Sequence, residues 1–225
     1  MKTDYSTGKG GRLSAALILA FVLVAGGSFF GPALAQSDIS VSPVGWTWGE
    51  PTMGTSRLVR NDSGLSANIH AVDLPPGHVM TMWFVLFNNP AACASNPCGP
   101  PDLFNDDPDG PLGDFLWGAG TIVGGSGKAN MGGHLAVGDI SRSGLIEIGL
   151  PDNAVGLINP RQAEVHLLIH SHGPMVPGQT LKSQLNSFLG GCEFFQGNEF
   201  GIAESFDDVP SEVGGCSTIQ GSLHE

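Results

Sequence analysis

The sequence predicts an all-β chain: an antiparallel β-sandwich of about seven to nine strands with one short helix. Three observations carry that expectation. Glycine supplies 34 and proline 16 of the 225 residues, and charged residues are only 13%. Apolar runs are short and punctuated by Gly, Pro, Asn and Asp, which is the pattern of strands and tight turns. Only one segment, Thr180 to Leu189, repeats its apolar residues at helical spacing (Leu181, Leu185, Phe188, Leu189), and Gly190-Gly191 stops it.

The first element is a leader. Lys2, Lys9 and Arg12 form a basic start, and Leu13 to Gly26 is an apolar run. Pro32-Ala33-Leu34-Ala35 then puts small residues at the −3 and −1 positions of a cleavage site before Gln36. Leu13 to Phe30 approaches the length of a membrane anchor, but Gly26, Gly27 and the Ala-x-Ala site favour a cleaved signal peptide of residues 1–35. The expected destination, for a bacterial chain, is the periplasm or the exterior.

Residues 36–54 read as an extended lead-in, and 55–225 as a single domain ending in an acidic tail. Arg57 to Arg60 is a short strand. Leu65 to Val72 alternates, with Leu65, Ala67, Ile69 and Ala71 on one face and Ser66, Asn68 and His70 on the other. Pro75-Pro76-Gly77 turns the chain into His78–Asn88, which is apolar on both faces and reads as a central strand. Residues 89–114 form a long Pro- and Asp-rich loop. Phe115–Val123 and Lys128–Ala136 read as a hairpin about the glycines at 124, 125 and 127, and Leu145–Leu150 as a further strand. Asn159-Pro160 introduces a last strand over 162–172. The tail from Asn198 is weakly patterned, with Cys216 pinning part of it.

The cysteines, Cys93, Cys98, Cys192 and Cys216, are four in number, all beyond the leader. An even count in an exported chain implies two disulfides and allows three pairings. The most economical joins Cys93 to Cys98 and Cys192 to Cys216. The spacings do not match zinc sites of the Cys-x2-Cys type.

Charge excludes some partners. The leader holds three of nine basic residues and one of 21 acidic ones, so the remaining chain has six basic and 20 acidic residues, a net −14. Such a surface repels nucleic acid and, once the leader is gone, anionic membranes. Cations, small molecules and protein partners remain. The chain has no Gly-x-Ser-x-Gly elbow, no phosphate-binding Gly-x4-Gly-Lys-Ser/Thr and no dinucleotide fingerprint.

The most informative stretch is Glu164-Val-His-Leu-Leu-Ile-His-Ser-His172. On a strand, Val165, Leu167 and Ile169 face one way and Glu164, His166, His170 and His172 the other. Imidazoles two residues apart on a strand are a chelating arrangement for zinc or copper. His166 and Glu164 extend the row, and Glu164 is a candidate general base. His70 would join the site if its strand neighbours the histidine strand; His134 is a further candidate ligand. The competing reading is a polar or structural strand face, with Gly173-Pro174 ending the strand near His172.

A second candidate is a calcium loop. Asn105, Asp107 and Asp109 occupy ligand positions one, three and five, and Gly110 position six, but Leu116 stands where the bidentate Glu is needed. Asp102 and Asp114 are the available replacements; the competing reading is an acidic loop held by Asx turns. Trp83 and Trp117 read as core, and Trp46 and Trp48 as a lid.

Several motifs carry a family resemblance: Leu74-Pro-Pro-Gly-His78, Trp83, Phe87-Asn-Asn-Pro90, Asp102-Leu-Phe-Asn105, Gly124-Gly-Ser-Gly-Lys128 and Pro160-Arg-x-Ala-Glu-x-His166. Together they resemble a group of secreted bacterial β-sandwich proteins of uncharacterised activity, over most of residues 56–192. The resemblance implies fold and export, and no activity. The chain is similar, more distantly, to CHRD-type and copper/zinc superoxide dismutase sandwiches, which also place His-x-His on strands. Three functions follow as expectations: a binding module using the histidine strand for a metal, a metal-dependent enzyme using His166, His170 and His172 with Glu164, and a surface or adhesion module.

Overall fold

The computed structural model describes residues 37–46, 52–192 and 216–225. The leader, the side chains of Trp46 and Trp48, and much of the tail lie outside the described residues. Eight strands form one antiparallel sheet: β1 Asp38–Trp46, β2 Thr52–Asn61, β3 Gly64–Ala71, β4 His78–Phe87, β5 Gly113–Ile122, β6 Ala129–Ala136, β7 Glu164–Pro174 and β8 Ser217–His224. Their spatial order is β5-β4-β7-β8-β1-β2-β3-β6. Helices are few: single turns α1 Pro100–Leu103 and α2 Gly144–Glu147, and α3 Gln179–Asn186. Among the described residues no helix is long and apolar enough to cross a membrane.

The sheet curls until its two edges nearly close. Gly118 is an extra residue in β5, since Met82 faces Ala119 while Trp83 faces Trp117. A bulge of this kind bends its strand. At the bend the edge strands come together so closely that a Cβ on Gly133 of β6 would sit 2.9 Å from the Gly118 Cα. Glycine is required there by space.

The strand alternation produces two apolar clusters. Leu58, Leu65, Ile69, Met80, Met82, Phe84, Leu86, Val165, Leu167 and Ile169 point into the curled sheet and are buried. The outward residues of β4, Trp83, Val85 and Phe87, form a second cluster with Phe115 and Leu145, covered by Leu103, Ile148, Leu168 and Phe188. β4 is therefore buried on both faces, as its doubly apolar sequence requires.

Four sequence expectations change. The segment taken as a lead-in carries β1, which pairs with β2 from Asp38 to Gly45. β5 and β6 are consecutive but form no hairpin: β5 pairs with β4 and β6 with β3. Their connection crosses one end of the sheet beside the β3–β4 connection, through Leu74 N–H to Gly127 O (3.0 Å) and Gly77 N–H to Val123 O (2.8 Å). Leu145–Leu150 is not a strand. Ser143 caps α2 by accepting from Leu145 N–H, and Gly149 at φ 89° ends the turn. The end of the expected tail is β8, a central strand between β7 and β1.

Candidate functional site

The outward face of β7 holds the histidine row, and the register with β4 and β8 divides it into two environments. At the first end, Glu164 is buried and its Oε1 accepts from Cys98 N–H (2.8 Å) and from His166 Nε2 (2.7 Å). Half-buried His166 packs its ring edge-on to Phe87, with centroids 5.4 Å apart. A shallow open groove runs here between the Cys93–Cys98 loop, Gln162, Glu164 and Glu225.

At the other end, His170 and His172 are 1% and 2% exposed. β7 continues to Pro174, so His172 lies within the strand and not in a turn. The two imidazoles meet edge to face at 4.9 Å, and Phe188 stacks on His170 at 4.4 Å. Phe188 is held edge-on by Trp83 and Phe115. Sequence places it there: α3 ends at Asn186, and the turn through Gly190 and Gly191 returns the chain to β7. A Cβ on Gly190 would lie 2.2 Å from Ser183 O, and Gly191 has φ 77°. That turn delivers Cys192, which is disulfide-bonded to Cys216 at the mouth of β8. Cys93–Cys98 is the second disulfide. The economical pairing is the one present.

Hydrogen bonds assign the proton on His172. Its Nδ1 lies 2.7 Å from Gly190 O, which accepts only, so Nδ1 carries the hydrogen. Its Nε2 therefore accepts from Thr81 Oγ1 (2.9 Å), which accepts in turn from Trp83 Nε1–H (2.8 Å). Gln184 braces the same strand by donating to His172 O and Pro174 O. The sulfurs of Cys192 and Cys216 stand 3.7 and 4.0 Å from His172 Nδ1.

His170 differs. Its Nδ1 reaches Thr218 Oγ1 at 3.4 Å, and its Nε2 is buried with no hydrogen-bond partner among the described residues. An unmet buried polar atom costs about 1–3 kcal/mol. Burial drives the His170 pKa well below the ordinary value and the neighbouring His172 adds to this, against the pull of the Phe188 carbonyl, which lies near the ring but outside hydrogen-bond geometry. Burial lowers His172 to about 4 against the pull of Gly190 O. Both rings are neutral at pH 7, the form that binds metals.

One ligand atom from each of His170, His172, Cys192 and Cys216 lies within 4.8 Å of the others. His166 and Glu164 do not belong to this group. Neither do His70 and His134: β3 pairs with β2 and β6, not with β7. Half-buried His70 bonds Asn130 (2.7 Å) and exposed His134 bonds Ser66 (3.0 Å), on the far wall of the sheet. Non-local strand order, unreadable from one sequence, decides this.

The acidic loop is held by its own Asx turns. Asn105 Oδ1 accepts from Asp107 N–H and Asp107 Oδ1 from Asp109 N–H. Its two reserve carboxylates are engaged elsewhere. Asp102 accepts from Ala94 and Gly99 N–H. Asp114 accepts from Phe115, Val155 and Gly156 N–H and from Ser143 Oγ.

Sequence reading missed a further polar cluster inside the sheet. His224 is buried between Ser40 Oγ and Ser56 Oγ, each 2.8 Å from a ring nitrogen, and Ser56 also bonds Ser222 (2.7 Å). Beside it Arg60 donates to the carbonyls of Pro160, Ala163 and His224. Nothing in the pattern of β8 marks these residues. Compared with protein-family models, with characterised proteins and with solved structures, the chain matches none.

Proposed function

We propose that this chain is an exported, disulfide-stabilised β module that holds a transition-metal ion, zinc or copper, at the paired imidazoles of His170 and His172. In this reading residues 1–35 are its signal peptide, and the curled sheet is a flattened sandwich of the secreted family it resembles. One observation carries the metal reading: His170 Nε2 is buried with no hydrogen-bond partner among the described residues, and its ring meets a second neutral imidazole edge to face. Burying a polar atom unmet is costly, and a metal ion is the partner that two imidazoles at this spacing suit.

The reading favours binding over catalysis. Phe188 and the 190–192 turn close over the pair, so a bound ion has no open position at which to activate water. Glu164, the candidate base, is engaged with Cys98 N–H and His166 at the other end of the row. The test is metal analysis of tag-free protein, in either state of the Cys192–Cys216 pair, beside a His170→Ala/His172→Ala variant. About one zinc or copper per wild-type chain and none in a folded variant is expected. Equal content in both, or none in either, contradicts the reading.

An interaction role has one observation of its own. Ile39 and Val41 stand 57% and 69% exposed on the outer face of β1. Self-association that weakens in Val41→Ser would support it, and a monomer at millimolar concentration would not.

A further inference from the structure

The His170–His172 pair has two neighbours that a histidine-only site does not explain. The bonded sulfurs of Cys192 and Cys216 lie beside His172 Nδ1, at 3.7 and 4.0 Å. We propose that the Cys192–Cys216 disulfide is the closed state of a Cys2His2 zinc site: when it is reduced, both thiolates join His170 Nε2 and His172 Nδ1 around one ion. The inference rests on the metal reading above and deepens it, by making sulfur and redox state part of the site.

The geometry is close to what the ion needs. Zinc binds sulfur at about 2.3 Å and nitrogen at about 2.0 Å, so ligand atoms of a tetrahedral site stand about 3.3 Å (two nitrogens) to 3.8 Å (two sulfurs) apart. The sulfur to Nδ1 distances, 3.7 and 4.0 Å, already fall near that range. One ring nitrogen of each histidine and both sulfurs lie within 4.8 Å of one another. Two changes are needed: the sulfur–sulfur bond opens, and the Gly190 carbonyl, 2.7 Å from His172 Nδ1, swings aside to leave that nitrogen to the ion. Cys192 follows the glycine turn and Cys216 precedes β8, so neither sulfur sits within a strand or helix.

The chemistry balances. A dithiol donor gives two electrons and two protons to the disulfide, which becomes two thiols while the donor becomes a disulfide. Zinc then displaces one proton from each thiol. Two thiolates offset the charge of the dication, where a disulfide offers it none. His172 needs one adjustment. Its proton moves from Nδ1, where it faces Gly190 O, to Nε2, where it faces Thr81 Oγ1. Thr81 has two lone pairs and can accept from both His172 and Trp83 Nε1–H. Thr81 is then the positioning residue that holds the ligand ring, as second partners of metal-bound histidines do.

The other disulfide lacks these features. Cys93 and Cys98 have Asp102 nearby, but both Asp102 oxygens already accept backbone N–H groups. No unpartnered imidazole faces that bond.

The test compares oxidised protein with protein reduced anaerobically by a phosphine, which takes up oxygen from water as the disulfide becomes two thiols. Co(II) is the probe and zinc the competitor. Reduced protein should bind one Co(II), with tetrahedral visible bands and a sulfur-to-metal charge-transfer band, on the order of 100-fold tighter than oxidised protein. The Cys93→Ser/Cys98→Ser variant should keep the response and His170→Gln should lose it. Zinc should also shield Cys192 and Cys216 from alkylation in the reduced wild-type chain while Cys93 and Cys98 react, a readout that needs no variant. Equal binding by both redox states, or alkylation unaffected by zinc, overturns the inference and leaves the histidine site standing. Absence of binding in both states overturns both.

Discussion

The two ends of β7 present the same residue types on the same face of one strand, in opposite environments. Glu164 and His166 border an open groove walled by the Cys93–Cys98 loop. His170 and His172 are sealed beneath Phe188 and the Cys192–Cys216 bridge. At the first end each polar atom named has a partner, and His166 is half-buried. At the second, burial removes water, keeps the rings neutral and leaves one nitrogen unmet. What covers a strand face, not the residues on it, decides whether a histidine acts as a surface group or a ligand.

Each end has its own disulfide, and the loops differ in length. Replacing Cys192 and Cys216 with Ala opens a sequence separation of 24 and should cost about 3.5 kcal/mol. The same change at Cys93 and Cys98, five apart, should cost about 2 kcal/mol. Denaturant midpoints of the two variants measure the difference; a larger loss at Cys93–Cys98 would break the ranking of the ends.

Acid should act on the sealed end. His172 is held at about 4 in the fold against an ordinary 6.5, so the unfolded chain takes up its proton first. Stability is then complete above pH 6.5 and falls as the pH drops toward 4, by about 3 kcal/mol for this residue. His224, also lowered to about 4, by burial first and then by the charges of Arg60 and His166, weakens the fold over the same window. A His172→Gln chain should therefore keep only part of the acid slope seen in thermal melts. An unchanged slope would show that His172 is not the buried neutral ring described.

Phe188→Ala breaches the seal directly. It should cost about 2–3 kcal/mol, below a fully buried Phe because Phe188 is half-buried. It should also make His170 and His172 modifiable by an acylating reagent at the rate of His166. Persistent protection would mean that something other than Phe188 covers them. The smallest effect belongs to the open end: Glu164→Ala should cost about 1–2 kcal/mol through the lost acceptor for Cys98 N–H and His166. It should leave metal content unchanged, and a loss of metal would join the two ends that the structure separates.

Much of this was legible in the chain. β4 announced itself by apolar residues on both faces, and the core face of β7 by Val165, Leu167 and Ile169. The economical cysteine pairing also appears as read; the helix read over Thr180–Leu189 ends early, at Asn186, before the Gly190-Gly191 stop. β8 was not legible, because its inward residues are Gln220, Ser222 and His224: Ser222 and His224 bond Ser56 and Gln220 Nε2 donates to Val72 O, while Gln220 Oε1 is buried with no partner among the described residues. β1 was obscured by Pro43 and Gly45, which weaken a strand pattern. The hairpin reading of β5 and β6 failed because adjacency in sequence is only a tendency toward pairing. The candidate site was half legible. Alternation put the histidines on one face, but Thr81, Phe188 and the sulfurs reach them through long-range packing that no spacing encodes.

The central claim is that the sealed pair, and not the other histidines, takes the metal. Long-range proton–nitrogen NMR of the imidazoles during a zinc titration of reduced protein reads this residue by residue. The account predicts shifts of His170 Nε2 and His172 Nδ1 that saturate at one zinc per chain, with His166, His70 and His134 unmoved. Saturable shifts at His166, or at His70 and His134 with the buried pair unchanged, would contradict it.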